Sequence, residues 1–393
     1  MKNILHLGAG SLMVKNVQIL KSEGYHVYLV DKEMDAPAFK FADGYKAIDI
    51  IDSVRLLEYA QEINADAILA VNDAGVQAAA ELSEKLGLNY CSLDSAKKST
   101  DKGLMREAWE KDDIAQPKFK ICLSKQDILQ AIKKIGYPCV LKPCYYWGSR
   151  GVSVLHSEND LNFSLDFAFT NNRNNRYIIE EFIDGLEVTI EGLVRNGEVS
   201  ILARSDKEHQ EHRNYKVAMA LNYPANISDE LQSKLDAEIT KAIKSLDINN
   251  SAFHAECILY NNDFYLVEIA ARPGGGHIFN TVVEAVSGIS MPVVLAKILL
   301  EEEVDITPKN SDGACYKFFC PPKGIFRSLK YLNHVSKDER ILTIGFELAT
   351  GTLVGDIYGD ADRPGYLVSK GTDRESAIDS ANEAIEQLIF EME

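Results

Sequence analysis

The chain has 393 residues, 46% hydrophobic and 26% charged, with a formal net charge of −17 at pH 7. That length carries two or three domains with cores of their own, and the ordinary apolar and charged fractions describe a soluble globular protein. The acidic excess argues against a nucleic-acid or anionic-membrane partner, whose phosphates would be repelled, and leaves room for local basic sites. The N-terminus runs Met1-Lys2-Asn3-Ile4-Leu5 straight into a strand and glycine turn with no leader pattern. No apolar run approaches about 18 residues, so a cytoplasmic location with no membrane contact is expected. Seven scattered cysteines without a Cys-x-x-Cys pair indicate neither a disulfide framework nor a zinc site.

Residues 1–95 alternate between the two periodicities: strand 3–8, helix 14–23, strand 27–31, helix 53–63, strand 67–71, helix 74–86. Such alternation predicts a parallel, Rossmann-like α/β sheet. Its first turn, Gly8-Ala9-Gly10-Ser11-Leu12-Met13, begins like a dinucleotide fingerprint, and Asp31 ends the second strand. Met13 stands where a third glycine would let the helix pack closely, so a tight βα turn that binds no dinucleotide is the expectation.

A helix around 99–109 opens with Thr100-Asp101-Lys102, Gln116-Pro117 breaks the chain, and Ser124 and Asp127 open a helix that ends at Gly136. A short buried strand then carries Lys142 at its end, ahead of the loop Cys144-Tyr145-Tyr146-Trp147-Gly148-Ser149-Arg150-Gly151 and a strand over 152–156. This tip offers flexible N–H groups and a cation to a phosphate, or is a plain glycine turn. Residues 177–192 read as strand, turn and strand, with Glu180, Glu181, Phe182 and Ile183 before the turn and Glu187, Thr189 and Glu191 on one face after it. Acids at such a junction accept from ribose hydroxyls or an adenine amino group, or are merely solvated. The charged stretch 204–216, with Lys207, His209 and Lys216, is expected to lack regular structure, as a lid, a substrate clamp or a plain loop. A helix follows over 228–246 and a helix pair over 279–300, with an acidic linker at 301–305.

Residues 253–260 alternate, Asn261-Asn262-Asp263 is turn chemistry, and 264–272 alternates again, which predicts a β-hairpin. A three-residue loop sets Tyr260 opposite Phe264 and therefore Glu256 opposite Glu268. Phe264, Leu266 and Ala270 then share their face, and Val267 falls on the core side. Directly opposed side chains have Cβ atoms roughly 4.5–5.5 Å apart, and like charges there repel. Both hairpin faces are largely apolar, so both are covered. Covered carboxylates are costly unless neutralised by protonation or by a hard cation such as Mg²⁺. Arg272 lies on the same face. The following Gly274, Gly275 and Gly276 let backbone N–H groups approach a carboxylate or oxyanion, with His277 in reach of substrate, or they only form a tight connection into a helix. The remainder reads as a small α+β unit, with strands near 314–319, 342–348, 353–358 and 367–370 and a final helix over 374–390.

In this order the chain resembles the ATP-grasp superfamily along essentially its whole length. Among subfamilies it looks like the carboxylate–amine ligases of the L-amino-acid ligase and carbamoyl-phosphate-synthetase-like group. That likeness rests on Glu268-Ile269-Ala270-Ala271-Arg272-Pro273-Gly274-Gly275-Gly276-His277 and Arg363-Pro364-Gly365-Tyr366. The resemblance implies an α/β and α+β chain: a pre-ATP-grasp Rossmann-like domain over 1–95, an ATP-grasp domain over 96–310 with a lid subdomain near 118–185, and a C-terminal α+β cap over 311–393. Lys102 and Lys142 match the lysines that hold the ATP phosphates, and Gly148, Ser149 and Gly151 match the loop that closes over them. Glu180, with the backbone of Glu181, Phe182 and Ile183, matches the adenine hinge, and Glu187 matches the ribose acid. Glu256 and Glu268 match the Mg²⁺ ligands, with Mn²⁺ as the other candidate, and Arg272 matches the arginine that steadies the transferred phosphate. Many relatives carry Asn where Ala270 stands, which removes one metal ligand. Gly274, Gly275, Gly276, His277, Lys207 and Lys216 are the candidates for substrate contact. The implied activity is amide formation from a small carboxylate and an amine through an acyl-phosphate, by an enzyme whose relatives are often homodimers. The rivals are a purine-pathway or biotin-carboxylase-like enzyme using formate, bicarbonate or a ribosylamine, and an ATP-binding sensor without turnover.

Overall fold

The computed structural model describes residues 1–145, 151–170, 175–212 and 215–393. Its first unit is a parallel sheet of β1 (Asn3–Leu7), β2 (His26–Asp31), β3 (Gly44–Ala47) and β4 (Ala67–Ala70), in the order β3-β2-β1-β4. Helices α1 (Met13–Ser22), α2 (Ser53–Glu62) and α3 (Asp73–Leu86) accompany it. The acid that ends β2 is engaged by the protein's own turn: Asp31 accepts the Ala9 N–H at 2.9 Å and the Glu33 N–H at 3.1 Å. Asn72 caps α3 by accepting the Gly75 N–H at 3.0 Å, which sets Asp73 in its first turn.

The single helix expected over 99–109 is two, α4 (Leu93–Thr100) and α5 (Lys102–Lys111). Asp101 divides them. Its backbone is extended (φ −116°, ψ 110°), and its carboxylate caps α5 by accepting from the Gly103 and Leu104 N–H groups at 2.8 and 3.1 Å. Next comes an antiparallel sheet of β5 (Phe119–Cys122), β6 (Cys139–Pro143), β7 (Ser153–Leu155) and β8 (Tyr177–Glu181), in the order β5-β8-β6-β7, backed by α6 (Lys125–Ile135) and α7 (Leu161–Thr170). This small sheet has its own core, including Ile128, Ile132, Leu141, Leu155 and Leu165.

One carboxylate fastens the small sheet to the rest. Glu180 on β8, 2% exposed, accepts from Arg106 Nε on α5 at 2.8 Å and pairs with Lys142 on β6 at 2.5 Å. Arg106 Nη1 also donates to the Leu266 carbonyl at 2.8 Å. Burial alone would raise the Glu180 carboxyl, but the Arg106 and Lys142 charges outweigh it and hold the group at about 2.

The rest of the chain builds an eight-stranded sheet. β9 (Leu186–Arg195), β10 (Glu198–His212) and β11 (Tyr215–Tyr223) come first, then helix α8 (Asp229–Ser245), then the hairpin β12 (Ser251–Tyr260) and β13 (Asp263–Ala270). β14 (Gly313–Phe319), β15 (Gly324–Lys330), β16 (Ile341–Phe346), β17 (Leu353–Val354), β18 (Gly365–Gly371) and β19 (Ile389–Met392) follow. The sheet order is β13-β12-β9-β10-β11-β14-β18-β16, and β17-β15-β19 forms a small separate sheet. The stretch 204–216 is thus mostly paired strand, not irregular loop. Its alternation is polar on both sides, which hid it. Asp206 and Glu208 are held by Arg374 and Asn222, while Lys207 and His209 meet Glu187 on the other side. The C-terminal unit continues the large sheet, because β14 pairs with β11. The final helix ends at Glu386, and β15 and β19 are strands the sequence reading leaves out. Among the described residues no single helix is long and apolar enough to cross a membrane.

The hairpin opposes Glu256 and Glu268, as expected, but by a different register. Its turn has two residues, Asn261 and Asn262, both at positive φ (50° and 62°), so Tyr260 faces Asp263. A bulge at Val267 then restores the pairing, since Glu256 faces Glu268 while Cys257 faces Leu266. Beyond the bulge the faces of β13 are exchanged relative to expectation. Phe264 and Leu266 enter the core with Phe253 and Cys257, and Val267 turns to the cleft.

Two outcomes follow. Asn262→Gly should keep or slightly raise the melting temperature and Asn262→Val should lower stability by about 1–2 kcal/mol, measured by denaturant unfolding; equal stability of the two would contradict the left-handed turn. The depressed Glu180 carboxyl contributes stability that is complete above its ordinary value of 4.5 and is lost as pH falls through about 2. Glu180→Gln should destabilise the protein by roughly 3–5 kcal/mol at neutral pH, with the deficit relative to wild type shrinking between about pH 5 and about pH 2.5. A deficit independent of pH would refute the ion triad.

Candidate active site

A cleft of about 530 Å³ opens between the small sheet and the β9-β12-β13 edge of the large one, a size common for small-molecule sites. Val71, Asn72 and Asp73 reach it from the end of β4, where parallel sheets place ligand-binding loops. Tyr358, Asp360 and Arg363 reach it from the segment between β17 and β18.

Most of the sequence candidates meet there. Lys102 and Lys142 line the cleft, as do Glu181, Phe182, Ile183 and Glu187. Glu256, Glu268 and Arg272 form the opposite wall with Lys207, and Lys216, Gly275 and Gly276 also border it. Lys102 is fixed by its place as first residue of α5 and by its N–H, which donates to the Cys144 carbonyl at 2.9 Å. Gly148 and Ser149 lie outside the described residues. Gly151, at φ +77°, sits at the foot of β7, next to Val152, which lines the cleft.

Three candidates take roles other than those expected. Glu180 borders the cleft, but its carboxylate belongs to Arg106 and Lys142, so it positions a lysine. Gly274 stands behind the wall: its N–H donates to Glu191 at 3.1 Å, and a Cβ there would lie 2.7 Å from the same carboxylate. His277 is buried against Tyr366 (ring centroids 4.6 Å apart) and Tyr316 and does not border the cleft. Of the hinge backbone, the Glu181 and Phe182 N–H groups already donate to Lys118 and Pro138 carbonyls at 2.8 and 3.4 Å. That leaves the Ile183 N–H and the carbonyls for a ring edge. Val140, Val154, Ile258 and Val267 supply apolar faces beside it.

The repulsion between the opposed glutamates is answered by two lysines. Lys102 Nζ is 3.2 Å from Glu268, and Lys207 Nζ is 2.9 Å from Glu256 while also pairing with Glu187. Burial opposes the charge on Lys207, but Glu187 and Glu256 outweigh it and push its ammonium well up. Burial likewise would raise Glu187, yet Lys207 and His209 hold it at about 2. His254 spans two acids, 2.5 Å from Glu191 and 3.2 Å from Glu256. Despite burial, Glu191 and then Glu256 raise it to about 9, so it is an imidazolium at neutral pH. Arg272 pairs with Asp73 at 2.7 Å and donates from Nη1 to the Pro273 carbonyl, while its buried Nε–H meets no acceptor among the described residues.

These features fit a magnesium nucleotide. Among the described residues no three His, Cys, Asp or Glu side chains form a cage. Two carboxylates alone suit Mg²⁺, which takes most of its oxygens from phosphates and water. Ala270, opposite His254 and 1% exposed, brings no ligand. The unpartnered Arg272 Nε–H is a donor in need of an anionic oxygen. Sequence reasoning missed Arg106, Asp73 and the role of His254. Only His254 left a signal, its placement two residues before Glu256 on the same strand face.

Comparison with known proteins gives the same frame. Residues 135–281 match the ATP-grasp domain and residues 317–393 match the L-amino acid ligase C-terminal domain 2. Alanine–anticapsin ligase of Bacillus subtilis (strain 168) is 25% identical over 307 residues, 72% of this chain and 64% of that protein. Formate-dependent phosphoribosylglycinamide formyltransferase of Aliivibrio fischeri is 31% identical over 186 residues, 46% of this chain and 47% of that one. The chain therefore spans only 64% and 47% of the length of these two curated relatives. The crystal structure of an L-amino acid ligase from Bacillus licheniformis shares the fold, with a TM-score of 0.85 at 18% identity over 100% of this chain and 99% of that one. Residues 135–281 thus match an ATP-grasp domain and residues 317–393 an L-amino acid ligase C-terminal domain, on a fold shared with a solved L-amino acid ligase that gathers lysines and acids around one cleft.

Proposed function

We propose that the protein uses ATP to join a small carboxylate, an amino acid or a related acid, to an amine, releasing ADP and phosphate. The observation that carries this reading is the convergence of Lys102, Lys142, Lys207 and Arg272 with the opposed Glu256 and Glu268 in one cleft. A carboxylate oxygen attacks the γ-phosphorus of ATP and ADP leaves. The amine nitrogen then attacks the acyl carbon of the acyl-phosphate, phosphate leaves, and the nitrogen gives up a proton. Glu256 and Glu268 would hold Mg²⁺, whose charge offsets that of the phosphates when bound. The protein's part is placement and charge. Lys142 is aimed by Glu180, which Arg106 holds in turn, and Arg272 offers its Nε–H. Lys102 and Lys207, seated on the two glutamates, are cations positioned to shift toward phosphate oxygens.

No covalent protein nucleophile is required, and the nearby thiol is unsuited: burial pushes Cys144 up to about 12. Substrate selection falls to Lys216, Gly275, Gly276 and the C-terminal residues around Arg363. A homodimer in the cytoplasm is part of the same proposal. A second reading, a ligase that takes formate or bicarbonate with a ribosylamine, is favoured by the 31% identity to the formate-dependent relative.

ADP release measured with mixed amino acids, and separately with formate or bicarbonate plus amines, decides between them. Turnover that needs both a carboxylate-bearing amino acid and an amine supports the first reading, and dependence on formate or bicarbonate supports the second. No ADP release with any carboxylate would leave a nucleotide sensor. Glu268→Gln should reduce Mg-dependent turnover by about a thousandfold or more while the melting temperature stays within a few degrees of wild type. Near-normal activity of that variant would sink the metal assignment.

A further inference from the structure

We infer that Asp73, carried by the N-terminal sheet, is a positioning residue for Arg272: it orients the guanidinium so that its Nε–H faces the terminal phosphate of a bound nucleoside triphosphate. The inference rests on the proposed nucleotide site and adds a residue from a different unit of the chain.

Placement is the first support. An acid in the first turn of a helix is ordinarily solvated, where it already gains from the helix dipole. Asp73 is in the first turn of α3, yet it is 7% exposed and its partner is 199 residues away in sequence. The Asn72 cap and the end of β4 fix its backbone, so its carboxylate is a rigid acceptor rather than one on a mobile stem.

The second support is the donor inventory of Arg272. Nη1 donates to the Pro273 carbonyl at 2.9 Å and Nη2 to Asp73 Oδ2 at 2.7 Å, while Nε–H is buried and meets no acceptor among the described residues. A guanidinium is planar, so fixing two nitrogens fixes the direction of the third. A buried N–H without an acceptor is unfavourable; this one has no surface open to the cleft, so the phosphate oxygen that relieves it reaches it as the surrounding ion pairs rearrange.

Competition is the third. Glu268 and Glu191 also act on the Arg272 charge, after Asp73. Without Asp73 the flexible arginine would turn toward Glu268, four residues back on the same wall. It would then neutralise a glutamate assigned to the metal and withdraw its Nε–H from the cleft. The alternative role for Asp73 is a clasp between the first unit and the rest, such as Tyr25 makes with Glu302 at 2.8 Å well away from the cleft.

Equilibrium binding of ADP and of a non-hydrolysable ATP analogue, each with Mg²⁺, separates these roles without any need for turnover. Wild type, Asp73→Asn and the clasp control Glu302→Gln are compared by calorimetry, with thermal melts to confirm folding. Asp73→Asn should bind ADP within about threefold of wild type and lose about tenfold or more in its preference for the analogue over ADP. Glu302→Gln should leave that preference unchanged. If Asp73→Asn keeps the wild-type preference, or loses both affinities in proportion, Asp73 is only a clasp and the inference fails while the nucleotide site stands. Should Asp73→Asn not fold, Arg272→Lys serves: it keeps the cation but lacks Nε–H, and an unchanged analogue preference would equally overturn the inference. A wild type that binds neither nucleotide overturns the site and the inference together.

Discussion

Charge compensation under cover is the constraint on which this molecule depends. Its cleft gathers acids that would repel one another and cations that would be poorly solvated, and each is stable there because a partner of opposite sign is held within reach. Glu180 shows the principle in its strongest form. A single carboxylate, almost without solvent contact, joins a helix of the main body to two strands of the small sheet through Arg106 and Lys142. Glu187, Glu256, Glu268 and Asp73 repeat the device with Lys207, Lys102 and Arg272. A polyanionic ligand entering such a site does not meet bare positive charge. It would compete with the carboxylates for cations already in place, so that its binding would require these pairs to rearrange.

Much of this frame is legible in the chain itself. The strand and helix periods of the first 95 residues and the helix at α8 follow from hydrophobic spacing and caps, and the facing of Glu256 and Glu268 follows from the alternation of a hairpin. The two glutamates do face each other, for an instructive reason. The turn is one residue shorter than expected, and a bulge of one residue at Val267 cancels the shift. Because strand side chains alternate with a period of two, the glutamates keep their register while Phe264, Leu266 and Val267 exchange faces. Turn chemistry at Asn261-Asn262-Asp263 does not distinguish a two-residue loop from a three-residue one, and a bulge leaves no mark in composition.

What was not legible shares a cause. Arg106 and Asp73 act through partners 74 and 199 residues away, so no local window contains either pair. The 204–212 part of β10 was hidden by chemistry of another kind. Both of its faces are polar, because one looks into an ionic cleft and the other is bonded to Arg374 and Asn222, and the usual apolar alternation of a strand is absent. Residues that build a polar site are those that hydrophobic patterning reads least well.

The pairing of β14 with β11 carries a consequence for how the chain is made. β11 is the outer strand of the arm that bears Lys207, and its neighbour on that side comes from beyond the acidic linker. Until residues 313–319 have emerged during synthesis, the cleft's own sheet presents an open strand edge, a template on which a second chain could pair. The C-terminal strands therefore cover the Ala220–Tyr223 end of that edge as well as walling the site, and until they arrive those four residues keep their backbone groups unpaired on that side.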